Sequence, residues 1–181
     1  MRLGVYVGSF NPPHKGHIDV VNYLLENNIL DDILIVPTLN YWNKTDLVDI
    51  RHRINMLKFF ETENIHIDDV NNNFQYTYEI MRELKKQNNA DLYLIIGADN
   101  IIDFDKWKNY EELLNYKIII MSRDNIDINK YLEKYDKSSF IVLSNYPNIS
   151  ISSTEIRKNL NCGQLDRKVL RYIEKNHLYG N

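Results

Sequence analysis

Short apolar runs alternate with longer amphipathic segments along most of this 181-residue chain. Residues 92–96 and 118–121 are uniformly apolar or aromatic, a pattern typical of strands that are buried on both faces. Between such runs, apolar residues recur at helical spacing, as in the segment that contains Ile18, Val21 and Leu24. Predicted strands cover residues 3–7, 33–37, 65–67, 92–96, 117–121 and 140–143. Predicted helices cover residues 17–26, 50–60, 78–86, 110–114, 128–135, 154–160 and 167–175.

This alternation predicts an α/β fold with a doubly wound, mainly parallel sheet and right-handed crossovers. With no linker-like stretch, residues 1–181 are expected to form a single domain, with a small C-terminal helical part from about residue 152. Ligands of such sheets bind at the carboxyl ends of the strands, near the point where the strand order reverses. The loops after the first, fourth and sixth strands are therefore the places where chemistry is expected.

Composition narrows the class of protein. The chain is 44% hydrophobic and 26% charged, as expected of a soluble globular protein, and its apolar runs are too short to cross a membrane. A formal net charge of −3 argues against nucleic-acid binding, which needs a basic surface. The single cysteine, Cys162, has no partner for a disulfide or a cysteine metal site, and without a signal-peptide pattern the expected location is cytoplasmic.

The first loop, residues 8–17, joins a predicted strand to a predicted helix and carries two histidines. Gly8 allows the backbone to approach a phosphate closely, and the free N–H groups at the helix start attract an anion. His14 and His17 are three residues apart, so that both imidazoles can lie on one helical face toward one ligand. The alternative is a pair of ordinary surface histidines, and a zinc site would need further ligands.

The last loop, residues 151–157, also begins a helix. Ser152 or Ser153 can cap this helix, and Ser152 and Glu155 have the spacing of a capping box. Arg157 lies one turn further along, where its fork of donors can reach a phosphate held at the helix start. Capping and phosphate binding are compatible interpretations of the same residues.

Together these two loops resemble the G-x-F-x-P-x-H-x-G-H and I-S-S-T-x-I-R motifs of the nucleotidyltransferase superfamily, which implies a Rossmann-like nucleotidyltransferase fold and transfer of an adenylyl group from ATP. The resemblance implies that His14 and His17 contact the ATP phosphates and stabilise the transition state, aided by Arg157. The remaining motif residues that it implies for the ATP site are Gly8, Ser9, Phe10, Ser152, Ser153 and Thr154.

Residues in the middle of the chain bear on which molecule accepts the adenylyl group. Residues 96–100, followed by Trp107, resemble the G-x-D and downstream Trp signature of bacterial nicotinate-nucleotide adenylyltransferases. Gly97 and Asp99 would then lie at the nucleotide, where a carboxylate accepts hydrogen bonds from ribose hydroxyls, and Trp107 would stack on a pyridine ring. A core or half-buried aromatic is the alternative for Trp107. Tyr76-Thr77 resembles the segment that holds the pyridine carboxylate in that family, although Gln75 replaces its usual serine.

Three basic residues complete the resemblance. Lys44 and Arg53 fit positions at which a cation would hold the acceptor phosphate, although the family's Pro-Pro-His before the lysine is replaced at residues 41–43. A solvated helix charge is an equally good interpretation of Arg53. Arg123 fits a family arginine near the adenosine pocket.

The activity implied by this resemblance is adenylyl transfer from ATP to nicotinate mononucleotide in NAD biosynthesis. Its partners would be ATP and a pyridine mononucleotide, with Mg²⁺ arriving on ATP, because the chain shows no carboxylate cluster for a protein-held metal. A homo-oligomer is left open. The alternatives are nicotinamide mononucleotide or phosphopantetheine as acceptor, or a nucleotide-binding regulator without catalysis; a class I aminoacyl-tRNA synthetase would need additional tRNA-binding domains.

Overall fold

The computed structural model of the chain describes residues 1–39, 46–122, 126–144, 146 and 151–180. The strands are β1 (Arg2–Gly8), β2 (Asp32–Pro37), β3 (Ile65–Ile67), β4 (Asp91–Gly97), β5 (Lys117–Met121) and β6 (Phe140–Leu143). The helices are α1 (Lys15–Glu26), α2 (Ile50–Leu57), α3 (Thr77–Gln87), α4 (Ala98–Ile102), α5 (Tyr110–Leu113), α6 (Ile128–Leu132), α7 (Ser153–Lys158) and α8 (Arg167–Lys175).

The six strands form one sheet in the order β3-β2-β1-β4-β5-β6, and all of the pairings are parallel. The chain moves outward from β1 to β3 and then returns to the other side of β1 with β4. The strand order therefore reverses between β1 and β4, where the segments that leave these two strands diverge and open a crevice. The predicted doubly wound parallel sheet is confirmed.

Both faces of the sheet are buried, which explains why the strand sequences are apolar throughout. Leu94 packs into the cluster on the α3 side, whereas its neighbour Ile95 packs into the cluster on the α1 side, and both side chains are fully buried. A third cluster joins Met56 of α2 to Val169 and Ile173 of α8. That the chain forms a single domain with a C-terminal helical part stays a prediction.

Several predicted boundaries shift for local reasons. The predicted helix 50–60 ends at Leu57 and continues as a 3₁₀ turn at Lys58–Phe60. The predicted helix 128–135 ends at Leu132, and the predicted loop after β4 contains the short helix α4. Five residues are too few to show a helical repeat in the sequence, so α4 gives no periodic signal. None of the helices in the described part of the chain has the length and apolar character needed to span a membrane.

Candidate active site

The loop between β1 and α1 is held by a buried aromatic ring. Phe10 has a φ of 48°, in the left-handed region that bulky residues rarely adopt, and only 2% of its surface is exposed. Its ring packs edge-on against Tyr6 of β1 and His17 of α1, with centroids 5.3 Å and 4.9 Å away. The loop therefore folds back on the elements that it connects, and this fixes the start of α1.

The two predicted histidines lie together at that start but occupy different depths. Their rings stack with centroids 3.7 Å apart, and His14 is only 1% exposed, whereas His17 lines a cavity at this edge of the sheet. The backbone N–H of His14 donates to His17 Nδ1 over 3.2 Å, so that the proton of a neutral His17 ring lies on Nε2. This bond also explains why α1 begins earlier than predicted, at Lys15. His17 thus forms the surface and His14 supports it from beneath.

Gly16 is needed for this stack. A Cβ atom at residue 16 would lie 3.1 Å from both Nδ1 and Cε1 of His14, closer than side chains normally approach. Glycine at this position therefore lets the His14 ring lie flat beneath His17.

Arg157 reaches the same loop from the other end of the chain. Its Nη1 donates to the main-chain oxygen of Asn11 over 2.8 Å, and its Nη2 donates to Thr154 Oγ1 over 3.3 Å. The guanidinium lies 4.0 Å from the Asp46 carboxylate and also lines the cavity. Two segments separated by most of the sequence thus meet at one surface. We call the surface formed by residues 8–11, His17, residues 153–154 and Arg157 the histidine wall.

The start of α7 confirms the predicted capping. Ser152 Oγ accepts from the N–H of Glu155 over 3.2 Å and donates to the Glu155 carboxylate over 2.9 Å. Ser153 Oγ donates to the main-chain oxygen of Pro12 over 3.2 Å. Ser153 and Thr154 line the cavity, whereas Ser152 is engaged in the cap. Direct phosphate binding by these hydroxyl groups stays a prediction.

Arg53 lies beneath the histidine wall instead of on it. Only 1% of this residue is exposed, and its guanidinium donates to the main-chain oxygens of Ser9 and Val48 over 2.7 Å and 3.1 Å. Burial lowers the pKa of Arg53 to about 10, a cost that the nearby Tyr179 and Asp49 offset in part. The solvated helix charge considered above is wrong, because the side chain is buried. A direct contact to an acceptor phosphate stays a prediction, since Arg53 does not line the cavity.

A second group of residues also lines this cavity, and we call it the tryptophan wall: residues 75–77, Asp99, Asn100 and residues 106–108. The cavity measures about 1010 Å³. Trp107 is half-buried, and its ring packs against the buried Phe104 with centroids 5.5 Å apart while also lining the cavity. Both interpretations of Trp107, packing residue and cavity residue, therefore hold at once. Thr77 is the first residue of α3, and Asp99 lies in the first turn of α4.

The tryptophan wall also carries two lysines that the sequence analysis did not single out. Lys106 forms an ion pair with Asp103 over 2.6 Å, and Lys108 is exposed at the cavity. They flank Trp107, and the N-terminus of α3 adds partial positive charge next to Thr77. Asp103 pairs with Lys106, and the Glu79 carboxylate accepts the N–H groups of Gln75 and Tyr76 at the start of α3, so Lys108 is the cation that an anionic group at this surface would meet.

Most of the predicted site residues in the described part of the chain line this one cavity. Those that line it are Gly8, Ser9, Phe10, His17, Thr77, Asp99, Trp107, Ser153, Thr154 and Arg157. Those that do not are His14, Arg53, Gly97 and Ser152. Lys44 and Arg123 lie outside the described residues.

Asn11 is a cavity residue that sequence reasoning missed. It is only 4% exposed, and its side chain donates to the main-chain oxygen of Asp46 over 2.9 Å and accepts from Val48 N–H over 3.2 Å. The residue occupies a variable position of the first motif, so the motif itself gives it no role. Its importance follows only from long-range contacts.

The donor set does not form a protein-held metal site. Among the described residues, no group of three His, Cys, Asp or Glu side chains is placed to hold a metal ion. In the described part of the chain, the carboxylates that line the cavity are those of Asp46 and Asp99. That a divalent cation arrives on ATP stays a prediction.

The sheet is parallel, and its switch point holds a histidine pair and an arginine next to the starts of two helices. This combination defines a nucleotide-binding α/β protein. The family profile described as Cytidylyltransferase-like matches residues 5–159. The chain belongs to this family and, within it, to the nicotinate-nucleotide adenylyltransferases, which are enzymes. A probable nicotinate-nucleotide adenylyltransferase of Acholeplasma laidlawii is 39% identical over 97% of this chain and 96% of its own length. One of Fusobacterium nucleatum is 33% identical over 98% of this chain and 100% of its own.

Solved structures show the same relationship. A Plasmodium falciparum nicotinic acid mononucleotide adenylyltransferase complexed with NaAD superposes with a TM-score of 0.77. The two proteins are 25% identical, and the match covers 99% of this chain and 97% of the other. The Rossmann-like nucleotidyltransferase fold expected from the sequence motifs is therefore confirmed.

Proposed function

We propose that this protein transfers the adenylyl group of ATP to nicotinate mononucleotide, giving nicotinate adenine dinucleotide and pyrophosphate, a step of NAD biosynthesis. One observation carries the proposal. The cavity brings His17 and Arg157 together with Thr77, Asp99 and Trp107, so that both matched motifs and the acceptor signature face the same space. The names of the relatives support the same reaction.

In this reaction a 5′-phosphate oxygen of the acceptor forms a bond to the α-phosphorus of ATP. The bond from that phosphorus to the oxygen bridging to the β-phosphate breaks, and pyrophosphate leaves with the electron pair. No enzyme nucleophile is required, so that catalysis comes from positioning the two substrates and stabilising the charge that develops.

The histidine wall supplies that stabilisation. Because His17 Nδ1 accepts from the His14 backbone, the proton of the neutral ring lies on Nε2, the atom that would donate to a phosphate oxygen. Arg157 adds a charged donor that is already oriented by Asn11 and Thr154. Mg²⁺ is the cation that we propose to accompany ATP and to neutralise its phosphates.

The tryptophan wall favours nicotinate over nicotinamide. A pyridine ring stacked on Trp107 would place its substituent near the start of α3 and near Lys106 and Lys108. A carboxylate gains from the charge of these lysines, above all Lys108, whereas a neutral amide gains less. Asp99 at the start of α4 is suited to accept hydrogen bonds from ribose hydroxyls.

The cellular setting is part of the proposal. The lone cysteine, Cys162, is free and exposed, which suits a reducing compartment and supports a cytoplasmic location. That the protein does not bind nucleic acid stays a prediction. Whether it forms a homo-oligomer stays open.

The test is pyrophosphate release with Mg²⁺ and ATP, with nicotinate mononucleotide, nicotinamide mononucleotide or phosphopantetheine as the acceptor. We expect a strong preference for the nicotinate form in kcat/KM. A preference for the amide would contradict the role given to the tryptophan wall. Turnover with phosphopantetheine alone would show that the acceptor is wrong, and no release with any acceptor would contradict adenylyl transfer.

A further inference from the structure

The C-terminal turn after α8 adopts an unusual backbone that directs one tyrosine into the protein. Leu178 anchors this turn in the cluster between α2 and α8 and is 8% exposed. His177 and Tyr179 on either side of it have φ values of 51° and 60°, in the left-handed region. A bulky residue with such a backbone is uncommon and persists only where its surroundings over-determine it.

Tyr179 ends at the histidine wall. Its hydroxyl donates to Asn11 Oδ1 over 2.8 Å, across 168 residues of sequence. The same oxygen accepts from Val48 N–H over 3.2 Å, and Asn11 Nδ2 donates to the main-chain oxygen of Asp46 over 2.9 Å. Every polar atom of the Asn11 side chain is therefore engaged, and Tyr179 provides the contact from the C-terminus.

Asn11 in turn orients the guanidinium of Arg157. Its main-chain oxygen accepts from Arg157 Nη1 over 2.8 Å, so that the position of the Asn11 backbone sets one end of the guanidinium. Tyr179, Asn11 and Arg157 thus form a continuous chain of hydrogen bonds that leads to the cavity. Bonds of this kind matter for catalysis because a displacement of about 1 Å at a reacting group can cost about 10²-fold in rate.

We infer that Tyr179 is a positioning residue for adenylyl transfer, acting through Asn11 to hold Arg157 in place for the transition state. This inference rests on the proposed function. It gives the C-terminal turn a role in the reaction, although Tyr179 does not line the cavity.

The ionisation of Tyr179 is consistent with this role. Burial raises its pKa above the ordinary value for a phenol, although the nearby Arg53 and Arg157 oppose the shift. The hydroxyl therefore keeps its proton throughout the neutral range and remains a donor to Asn11. Its contact does not depend on assay pH between about 6 and 9, well below an ordinary phenol pKa of about 10.

A pair of hydroxyl deletions tests the inference. Tyr179→Phe removes the donor to Asn11 and keeps the ring. Tyr172→Phe is the matched control: its hydroxyl also contacts two side chains, Asn55 and His52, each at 2.9 Å, but lies between α8 and α2, away from the wall. We expect Y179F to lower kcat about tenfold with less than about twofold change in either KM, and Y172F to leave kcat within about twofold.

A double-mutant cycle then separates positioning from general stability. In an Arg157→Ala background, Y179F should lower kcat by less than about twofold, because the group it positions is gone. The same loss in both backgrounds would overturn the inference, as would equal kcat losses in Y179F and Y172F. If Y179F unfolds below the assay temperature, all variants are assayed at a lower temperature at which Y179F stays folded, with the same expectations. An inactive wild-type protein would refute the proposed function; an active one with an unaffected Y179F would refute this inference alone.

Discussion

The histidine wall and the tryptophan wall differ in how their side chains are held. Asn11 on the histidine wall, and His14 and Arg53 beneath it, are almost fully buried and hydrogen-bond or stack within the protein. On the tryptophan wall, Asp99 and Lys108 are exposed. Groups that stabilise a transition state gain from being fixed beforehand, whereas groups that bind a substrate tolerate some adjustment. We therefore propose that chemistry depends on the first wall and acceptor choice on the second.

The largest effect is expected on the histidine wall. His17→Ala removes the Nε2–H donor, and losing one such donor typically costs roughly 10²–10³ in kcat. The acceptor KM should change by only a few-fold, because the donor acts mainly in the transition state. Steady-state kinetics with both substrates varied would show whether kcat falls far more than the acceptor KM changes.

The matched control is His66→Ala, which removes an exposed histidine from β3 at the edge of the sheet. This variant should retain wild-type kinetics. Equal losses in kcat and in acceptor affinity for the His17 variant would contradict a division of labour between the walls.

Arg53 provides the next test, since the family resemblance and the structure point to different roles. Arg53→Lys keeps the charge but cannot reproduce the fork that bonds the Ser9 and Val48 oxygens. We expect a lower melting temperature and a kcat reduced about tenfold through displacement of the loop. Thermal unfolding and kinetics measured together would distinguish the two roles.

The contrary result for Arg53 is specific. A selective rise in the acceptor KM, with melting temperature and kcat unchanged, would show that Arg53 binds the acceptor phosphate after all. The hydrogen bonds from Arg53 to the Ser9 and Val48 oxygens would then matter less than phosphate binding. The substrate-binding surface would also reach deeper than the lining of the cavity suggests.

On the tryptophan wall, Trp107→Ala should act on acceptor binding. Stacking of a base on an aromatic side chain contributes about 1–3 kcal/mol, so the acceptor KM should rise about tenfold with a smaller change in kcat. The control is Tyr110→Ala, which removes a ring that packs on the same Phe104 with centroids 5.9 Å apart but does not line the cavity. If both variants raise the acceptor KM equally, Trp107 is a packing residue.

The difference between local and long-range contacts explains which features could be predicted from the sequence. Strand positions follow from apolar runs with both faces covered, and residues within one motif, such as His14 and His17, are neighbours by local geometry. The depth of those histidines does not follow, because Phe10 and the packing of Gly16 determine it. The bond from Tyr179 to Asn11 could not be predicted either, since it depends on how α8 packs against α2.

The smallest predicted effect concerns Gly97, at the junction of β4 and α4. Its φ of −78° is open to any residue, and among the described residues an added Cβ atom would meet only Asn100 Nδ2, at an ordinary distance of 3.9 Å. Gly97→Ala should therefore shift the melting temperature by no more than about 2–4 °C, the equivalent of about 1 kcal/mol for a protein of this size. If the nucleotide approaches this backbone closely, the KM for ATP should nevertheless rise a few-fold. Thermal unfolding with and without ATP would measure both effects. An unchanged KM would place the nucleotide farther from the β4–α4 junction, and binding would then depend on the histidine wall more heavily than the family signature implies.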